Sequence, residues 1–259
     1  MSGVIDQYAK QYLLFEDERT RPVRDLVSAI PNQSVATAAD LGCGPGNSTE
    51  VLAARYVEAD IAGVDAAPDM IVAARERLPE ARFELGRVED WTHHDGLYDV
   101  ILANASLQWV PDHVKLLPRL VARLAQGGSL AVQMPDALDE PALRLIREVA
   151  AQGPWAAALA DVERLPIEAP IWYYELLKPH CERVDLWRTT YYHVLAGGAG
   201  AVVEWFKASG LRPYLARLDE AGQRAFIARY TEEVSKAYPT LDDGSVLLPF
   251  PRLFFIATR

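Results

Sequence analysis

The sequence predicts an α/β fold: a mostly parallel sheet with helices on both faces, plus a helical cap inserted late in the chain. Three observations predict it. A small apolar run, Val35-Ala36-Thr37-Ala38-Ala39, leads into a glycine-rich turn and then a helix-forming stretch at 47–56. Strand, turn and helix then alternate as far as Met134, the pattern of a parallel sheet covered on both sides. Beyond Met134 the alternation stops, and long insertions flank one extended strand at 183–194. Those insertions are too large for plain sheet connections. They are read as cap segments, about 136–182 and 196–245, over the carboxyl ends of the strands within a single 259-residue domain.

Taken in order, residues 4–30 read as two helices. Pro22 stands at the expected start of the second, whose apolar stripe is Val23, Leu26, Val27 and Ile30. Arg19-Thr20-Arg21 falls between the two, either as solvated charge or as a lid offering an arginine to a site. Strands are expected near 36–41, 60–65, 81–85, 98–103 and 128–134, and helices near 47–56, 69–77 and 117–125. Gly127-Gly128 should close the helix before the fifth strand. An amphipathic helix follows at 139–152, then an aromatic segment at 170–180 with Trp172, Tyr173 and Tyr174. After the 183–194 strand come helices near 199–209 and 219–237 and a last strand near 250–258.

The chemistry begins at Asp40-Leu41-Gly42-Cys43-Gly44-Pro45-Gly46-Asn47. Gly42, Gly44 and Gly46 allow a tight turn and close approach of a ligand to the backbone at a helix N-terminus. Asn47 is placed to cap that helix, with Glu50 in the capping-box position. The spacing is Gly-x-Gly-x-Gly, not the Gly-x-Gly-x-x-Gly of dinucleotide binders, and Asp40 would repel a pyrophosphate while attracting a cationic nucleoside. Asp65 ends the second strand roughly 20 residues on, where such folds place an acid on ribose hydroxyls.

A net charge of −10 argues against general nucleic-acid binding. An anionic substrate would then need a local basic pocket. Cys43 and Cys181 are the only cysteines, so a disulfide framework is not expected. With no apolar run of transmembrane length and no signal-peptide pattern, the reading is a cytoplasmic protein without membrane partners. The five histidines lack metal-ligand spacing, and no metal is expected.

Residues Asp40–Asn47 and Gly63–Met70 resemble the class I S-adenosylmethionine-dependent methyltransferases. Later segments narrow the likeness: Asn104-Ala105-Ser106-Leu107-Gln108-Trp109, Val132-Gln133-Met134-Pro135-Asp136, Trp187 to His193, Gly210-Leu211-Arg212-Pro213 and Phe250 to Phe254. They are similar to the trans-aconitate 2-methyltransferase family over nearly the whole chain. The resemblance implies a Rossmann-like methyltransferase sheet and S-adenosyl-L-methionine as cofactor, leaving S-adenosyl-L-homocysteine. It also implies esterification of one carboxylate of trans-aconitate. On it, Asp40, Gly42, Gly44, Gly46, Asn47, Asp65, Met70, Val88, Asn104 and Gln108 are cofactor candidates. The place where the family usually holds an acid near the adenine is occupied by Arg87. Glu89 or Asp90 takes that role, or the Val88 backbone and apolar packing hold the base.

Attack by a carboxylate needs no general base, because the nucleophile is already ionised at neutral pH. It does need its hydration removed and its direction fixed. Arginine suits the remaining carboxylates, since its planar fork binds them through two parallel hydrogen bonds. The candidates are Arg188, Arg212, Arg252 and Arg19, with Tyr192 and Gln133. Strand alternation sets Arg188 and Tyr192 on one face, the preferred pair, while Tyr191 packs and His193 is structural. Competing readings are a malonyl-carrier methyltransferase of biotin synthesis, a methyltransferase for another small di- or tricarboxylate, and a cofactor-binding module without catalysis. Oligomeric state is not readable.

Overall fold

The computed structural model describes residues 14–91, 96–162, 166–207 and 209–259. Helix α1 spans Glu16–Ala29 and strand β1 Thr37–Leu41. Next come α2 (Asn47–Arg55), β2 (Asp60–Asp65), α3 (Pro68–Arg77), β3 (Arg82–Leu85) and α4 (Val88–Trp91). Strand β4 (Tyr98–Asn104) leads through a 3-10 turn, Leu107–Trp109, into α5 (His113–Ala122) and β5 (Leu124–Pro135). Helices α6 (Pro141–Ala151), α7 (Ala156–Leu159) and α8 (Pro170–Leu177) precede β6 (Arg183–Ala196). The chain ends with α9 (Gly198–Lys207), α10 (Arg212–Leu215), α11 (Glu220–Ala237) and β7 (Ser245–Thr258). None of the described helices is long and apolar enough to cross a membrane.

The seven strands form one sheet in the order β3-β2-β1-β4-β5-β7-β6. Strands β1 to β5 run parallel, and β7 is antiparallel to both β5 and β6. Registers such as Leu41↔Val64 and Asp40↔Leu102 align the carboxyl ends of β1, β2 and β4. The glycine turn, Asp65 and Asn104 therefore emerge along one edge, where ligands of open α/β sheets bind.

Period-two alternation sorts the sheet's side chains into two apolar layers. Ala38, Val100 and Leu102 pack with Val23, Leu26, Val27 and Ile30 of α1. Ala39, Leu41, Ile101 and Ala103 face Leu116, Leu117 and Leu120 of α5. A third cluster joins α6, α7, α9 and α11 to the far ends of β6 and β7, around Phe226, Tyr230 and Val202.

Several boundaries differ from the sequence reading. The first of the two helices expected within 4–30 lies largely outside the described residues. The second starts at Glu16, so Arg19-Thr20-Arg21 lies inside α1 and Pro22 is an interior residue. Acidic Glu16, Asp17 and Glu18 suit the first turn's dipole, and the buried stripe outweighs the proline. Helix α5 ends at Ala122, and Gly127-Gly128 lies within β5, where the Gly127 N–H donates to the Arg259 carbonyl at 2.7 Å. Strand β7 begins at Ser245 and runs through Pro249 and Pro251. Both prolines lie beyond Arg252, the last residue paired with β5, so their missing N–H groups interrupt no ladder on that side.

Candidate active site

The cleft at the glycine turn encloses about 380 Å³. Gly42, Gly44, Asn47, Asp65, Met70, Val88 and Asn104 line it. Asp65 accepts the Gly44 N–H at 2.9 Å through Oδ2 and the Ala67 N–H at 2.9 Å through Oδ1. Burial raises its carboxyl above the ordinary value against those two hydrogen bonds. Gly42 adopts φ +75°, and a Cβ there would sit 2.3 Å from the Ser106 Cβ. The turn after β1 and the loop after β4 are thus interlocked, and the Ser106 hydroxyl donates to the Leu41 carbonyl at 2.6 Å.

Asp40 and Gly46 do not line this cleft. Asp40 is fully buried beneath the turn, where its Oδ2 accepts the hydroxyls of Ser48 and Thr49, each at 2.7 Å. Loss of hydration pushes its carboxyl up to about 6 despite those bonds. Its Oδ1 and the Asn104 Oδ1 are buried without a hydrogen-bond partner among the described residues. Asn47 is not the helix cap. Gly46 holds that place in the left-handed conformation, and Glu50 pairs with Arg77 at 2.8 Å instead of completing a capping box. Arg87 and Glu89 both line the cleft and pair with each other at 2.6 Å. Burial, then the charges of Asp40 and Asp65, push the Cys43 thiol far up, so it stays protonated.

A second cavity of about 470 Å³ adjoins the cleft. Ala105, Trp109 and Arg212 line both. Its walls carry Trp205, Phe206, Phe250 and three arginines: Arg19 of α1, Arg212 of α10 and Arg252 of β7. Arg19 donates from Nη2 to the Trp205 carbonyl at 2.9 Å and lies 5.0 Å from the Trp205 ring centre. Arg252 donates from Nη1 to Gln133 Oε1 at 3.0 Å, with its guanidinium 4.8 Å from the Phe250 ring centre. Arg19 and Arg252 are buried. His193 packs against Trp205, with ring centres 4.5 Å apart and planes tilted by 30°, and burial together with Arg252, Arg19 and Arg21 lowers it to about 3. It is neutral across the physiological range.

Three expected site residues lie elsewhere. Arg188 and Tyr192 do share a face of β6, but it is the outward one, and Tyr192 is 60% exposed. Arg188 forms an ion pair with Asp136 in a neighbouring cavity. Tyr191 points inward and donates to Asp25 Oδ2 at 2.6 Å. Gln133 is fully buried and does not line the chamber. Gln108 lines the chamber rather than the cofactor cleft, and its Nε2 donates to the Ala105 carbonyl at 2.6 Å. Trp205, Phe206, Ser209 and Phe250 were missed as chamber residues. Their sequence signal, an apolar helix face and a terminal strand, is that of ordinary core.

The antiparallel β7 within an otherwise parallel sheet and the glycine-turn cleft define a class I, S-adenosylmethionine-dependent methyltransferase. A family model described as "Methyltransferase domain" matches residues 38–128. A structure of the YcgJ protein from Bacillus subtilis shares the fold, with TM-score 0.59 at 13% identity, covering 92% of this chain and 98% of that one. Other structures of this fold contain S-adenosylmethionine or its demethylated product.

The chain is 50% identical over 256 residues to a trans-aconitate 2-methyltransferase of Rhodopseudomonas palustris (strain HaA2), covering 98% of this chain and 99% of that protein. A protein of the same name from Variovorax paradoxus (strain S110) is 48% identical over 258 residues, covering 99% of each. This chain belongs to the trans-aconitate 2-methyltransferase family.

Proposed function

We propose that the protein transfers a methyl group from S-adenosyl-L-methionine to one carboxylate of trans-aconitate, forming a methyl ester. One observation carries the reading: a chamber holding Arg19, Arg212 and Arg252 adjoins the glycine-turn cleft and shares Ala105, Trp109 and Arg212 with it. The cofactor fits the cleft. Asp65 keeps lone pairs for ribose hydroxyls beyond its two backbone bonds, and the Asn104 Oδ1, in the cleft wall, suits an ammonium group. Met70, Val88 and the Arg87–Glu89 pair line the part of the cleft assigned to the base.

When bound, S-adenosyl-L-methionine would supply an electrophilic sulfonium methyl to the carboxylate oxygen and leave as the neutral thioether S-adenosyl-L-homocysteine. Everything else is positioning. Two carboxylates of the substrate engage the guanidinium forks of the chamber, and the third is directed at the cleft across Ala105 and Trp109. The walls of Trp205, Phe206 and Phe250 strip water from the attacking carboxylate. No base is required, which agrees with a neutral His193 packed against Trp205. Helices α6 to α11, from the two insertions, are assigned to closing the chamber. Free Cys43 and Cys181 support a reducing, cytoplasmic setting.

The test is a transfer assay with labelled cofactor on trans-aconitate, cis-aconitate, citrate and a malonyl-carrier. Base-labile label on trans-aconitate is expected. Arg252→Ala should lower kcat/KM by about 10²-fold or more, the cost of removing a buried charged partner. Arg188→Ala should stay within about twofold, because that residue is paired outside the chamber. Label on the malonyl-carrier, or on none of the acids, would overturn the substrate assignment.

A further inference from the structure

We infer that His113 and Tyr173 are positioning residues that act in series to hold the Leu107–Trp109 turn, the partition between the cofactor cleft and the substrate chamber. That role rests on the proposed transfer of a methyl group between the two spaces. It ties the insertion that carries α8 to the place of transfer.

Ala105 and Trp109 line both spaces, and Gln108 lines the chamber. The segment that presents them is held against backbone preference. Ala105 and Asp112, at its two ends, have φ of +52° and +57°, and among the described residues they are the non-glycine residues with positive φ. Such residues adopt that conformation where their surroundings over-determine it. At the first end the ties are the Ser106 hydroxyl on the Leu41 carbonyl at 2.6 Å and the Ala105 N–H on the Gln133 carbonyl at 2.9 Å. At the second end they come from His113, the first residue of α5.

His113 Nε2 lies 2.9 Å from the Leu107 carbonyl oxygen, which also accepts the Val110 N–H at 2.9 Å. A ring nitrogen that faces a carbonyl carries the hydrogen, so Nε2 donates and both lone pairs of that oxygen are engaged. The same tautomer makes Nδ1 an acceptor, and the Tyr173 hydroxyl donates to it at 3.1 Å. Tyr173 in turn accepts the Glu168 N–H at 3.3 Å. Its ring has no solvent exposure and packs on Phe255 and Trp172, with centres 5.3 Å and 5.1 Å away. Phenylalanine would serve that packing without burying a hydroxyl, so the hydroxyl is explained by its two hydrogen bonds. Burial pushes it up to about 12, and it keeps the proton that it donates. A directed chain thus runs from the segment before α8 through Tyr173 and His113 to the turn. The turn sets where the carboxylate meets the methyl group, and a misplacement of about 1 Å at such a point costs about 10²-fold in rate.

The experiment compares wild type, Tyr173→Phe, His113→Phe and the double variant, all of which keep the rings. Amide hydrogen exchange is followed at the turn, where Trp109 and Val110 donate to Ser106 and Leu107, and at β1 as a reference. Exchange at the turn should quicken about tenfold or more in His113→Phe and in Tyr173→Phe, with β1 within about twofold of wild type. In steady-state assays well below the melting temperature, each single variant should lower kcat about tenfold or more. The KM for trans-aconitate and the S-adenosylhomocysteine affinity, measured by calorimetry, should stay within about twofold. Because Tyr173 acts through His113, the double variant should match His113→Phe in kcat. Wild-type kcat in both single variants with only the melting temperature lowered would reduce the pair to a structural role and overturn the proposal. Equal quickening at the turn and β1, or a full second loss in the double variant, would overturn it too. Failure of wild type to methylate trans-aconitate, with the exchange result as expected, would instead strike the proposed function.

Discussion

Asp40 shows how burial rewrites a charge. Read as a surface acid, it repels pyrophosphates. In the fold it has lost all contact with solvent and serves the hydroxyls of Ser48 and Thr49. Its folded-state value of about 6 lies above the ordinary 3.8. The folded protein therefore keeps a proton that the unfolded chain releases between those values. Its contribution to stability is full below pH 3.8 and is lost as pH rises toward about 6, a difference of about 3 kcal/mol for this group. Asp40→Asn removes the titration while keeping an oxygen for the hydroxyls. Denaturant unfolding at several pH values from 4 to 7 should show wild type losing stability relative to the variant as pH rises. Parallel curves would mean that Asp40 does not hold the extra proton.

The next scale is the junction of the turn after β1 with the loop after β4. Gly42 and Gly44 both have positive φ, at +75° and +55°, yet they carry different constraints. A Cβ on Gly44 meets nothing within 4 Å, so its replacement costs only backbone strain. A Cβ on Gly42 collides with Ser106, whose loop supplies Asn104 and Ala105 to the site. Gly42→Ala should weaken S-adenosylhomocysteine binding about tenfold or more and destabilise by about 2 kcal/mol or more, whereas Gly44→Ala should cost about 1 kcal/mol. Calorimetry and thermal melting of the two variants side by side decide it. Equal effects would show that strain alone, not the collision, sets the requirement for glycine.

Across the whole molecule, the helical layer and the sheet bring different halves of the site together. Glycine turn, Asp65 and Asn104 come from the sheet's carboxyl edge. Arg212, Trp205 and Phe206 come from helices packed around Phe226. Phe226 has no solvent exposure and contacts Trp155 and Tyr214, with ring centres 5.2 Å and 6.2 Å away. Tyr214 lies in α10 with Arg212. Phe226→Ala should cost about 3–5 kcal/mol through the cavity it leaves. It should also raise the KM for trans-aconitate while leaving S-adenosylhomocysteine affinity unchanged. Loss of cofactor binding in parallel would show that the two layers are one energetic unit.

What the sequence alone determined is local. A strand entering Gly42-Cys43-Gly44, an acid ending the next strand at Asp65, and alternating strands and helices follow from spacing of a few residues. The same local rule placed Arg188 and Tyr192 on one face of β6 correctly. It could not say that this face points outward, because facing depends on β7, whose pairing residues lie some sixty positions away. Only the tertiary structure decided which arginines share a chamber: Arg19, Arg212 and Arg252 come from a helix near the start, a short helix late in the chain and the last strand. Nothing in their own neighbourhoods separates them from Arg188, which has an acid beside it. Burial likewise turned Asp40 from a surface acid into a desolvated acceptor for Ser48 and Thr49 with a raised proton affinity, since hydration is a property of the packed molecule and not of the residue.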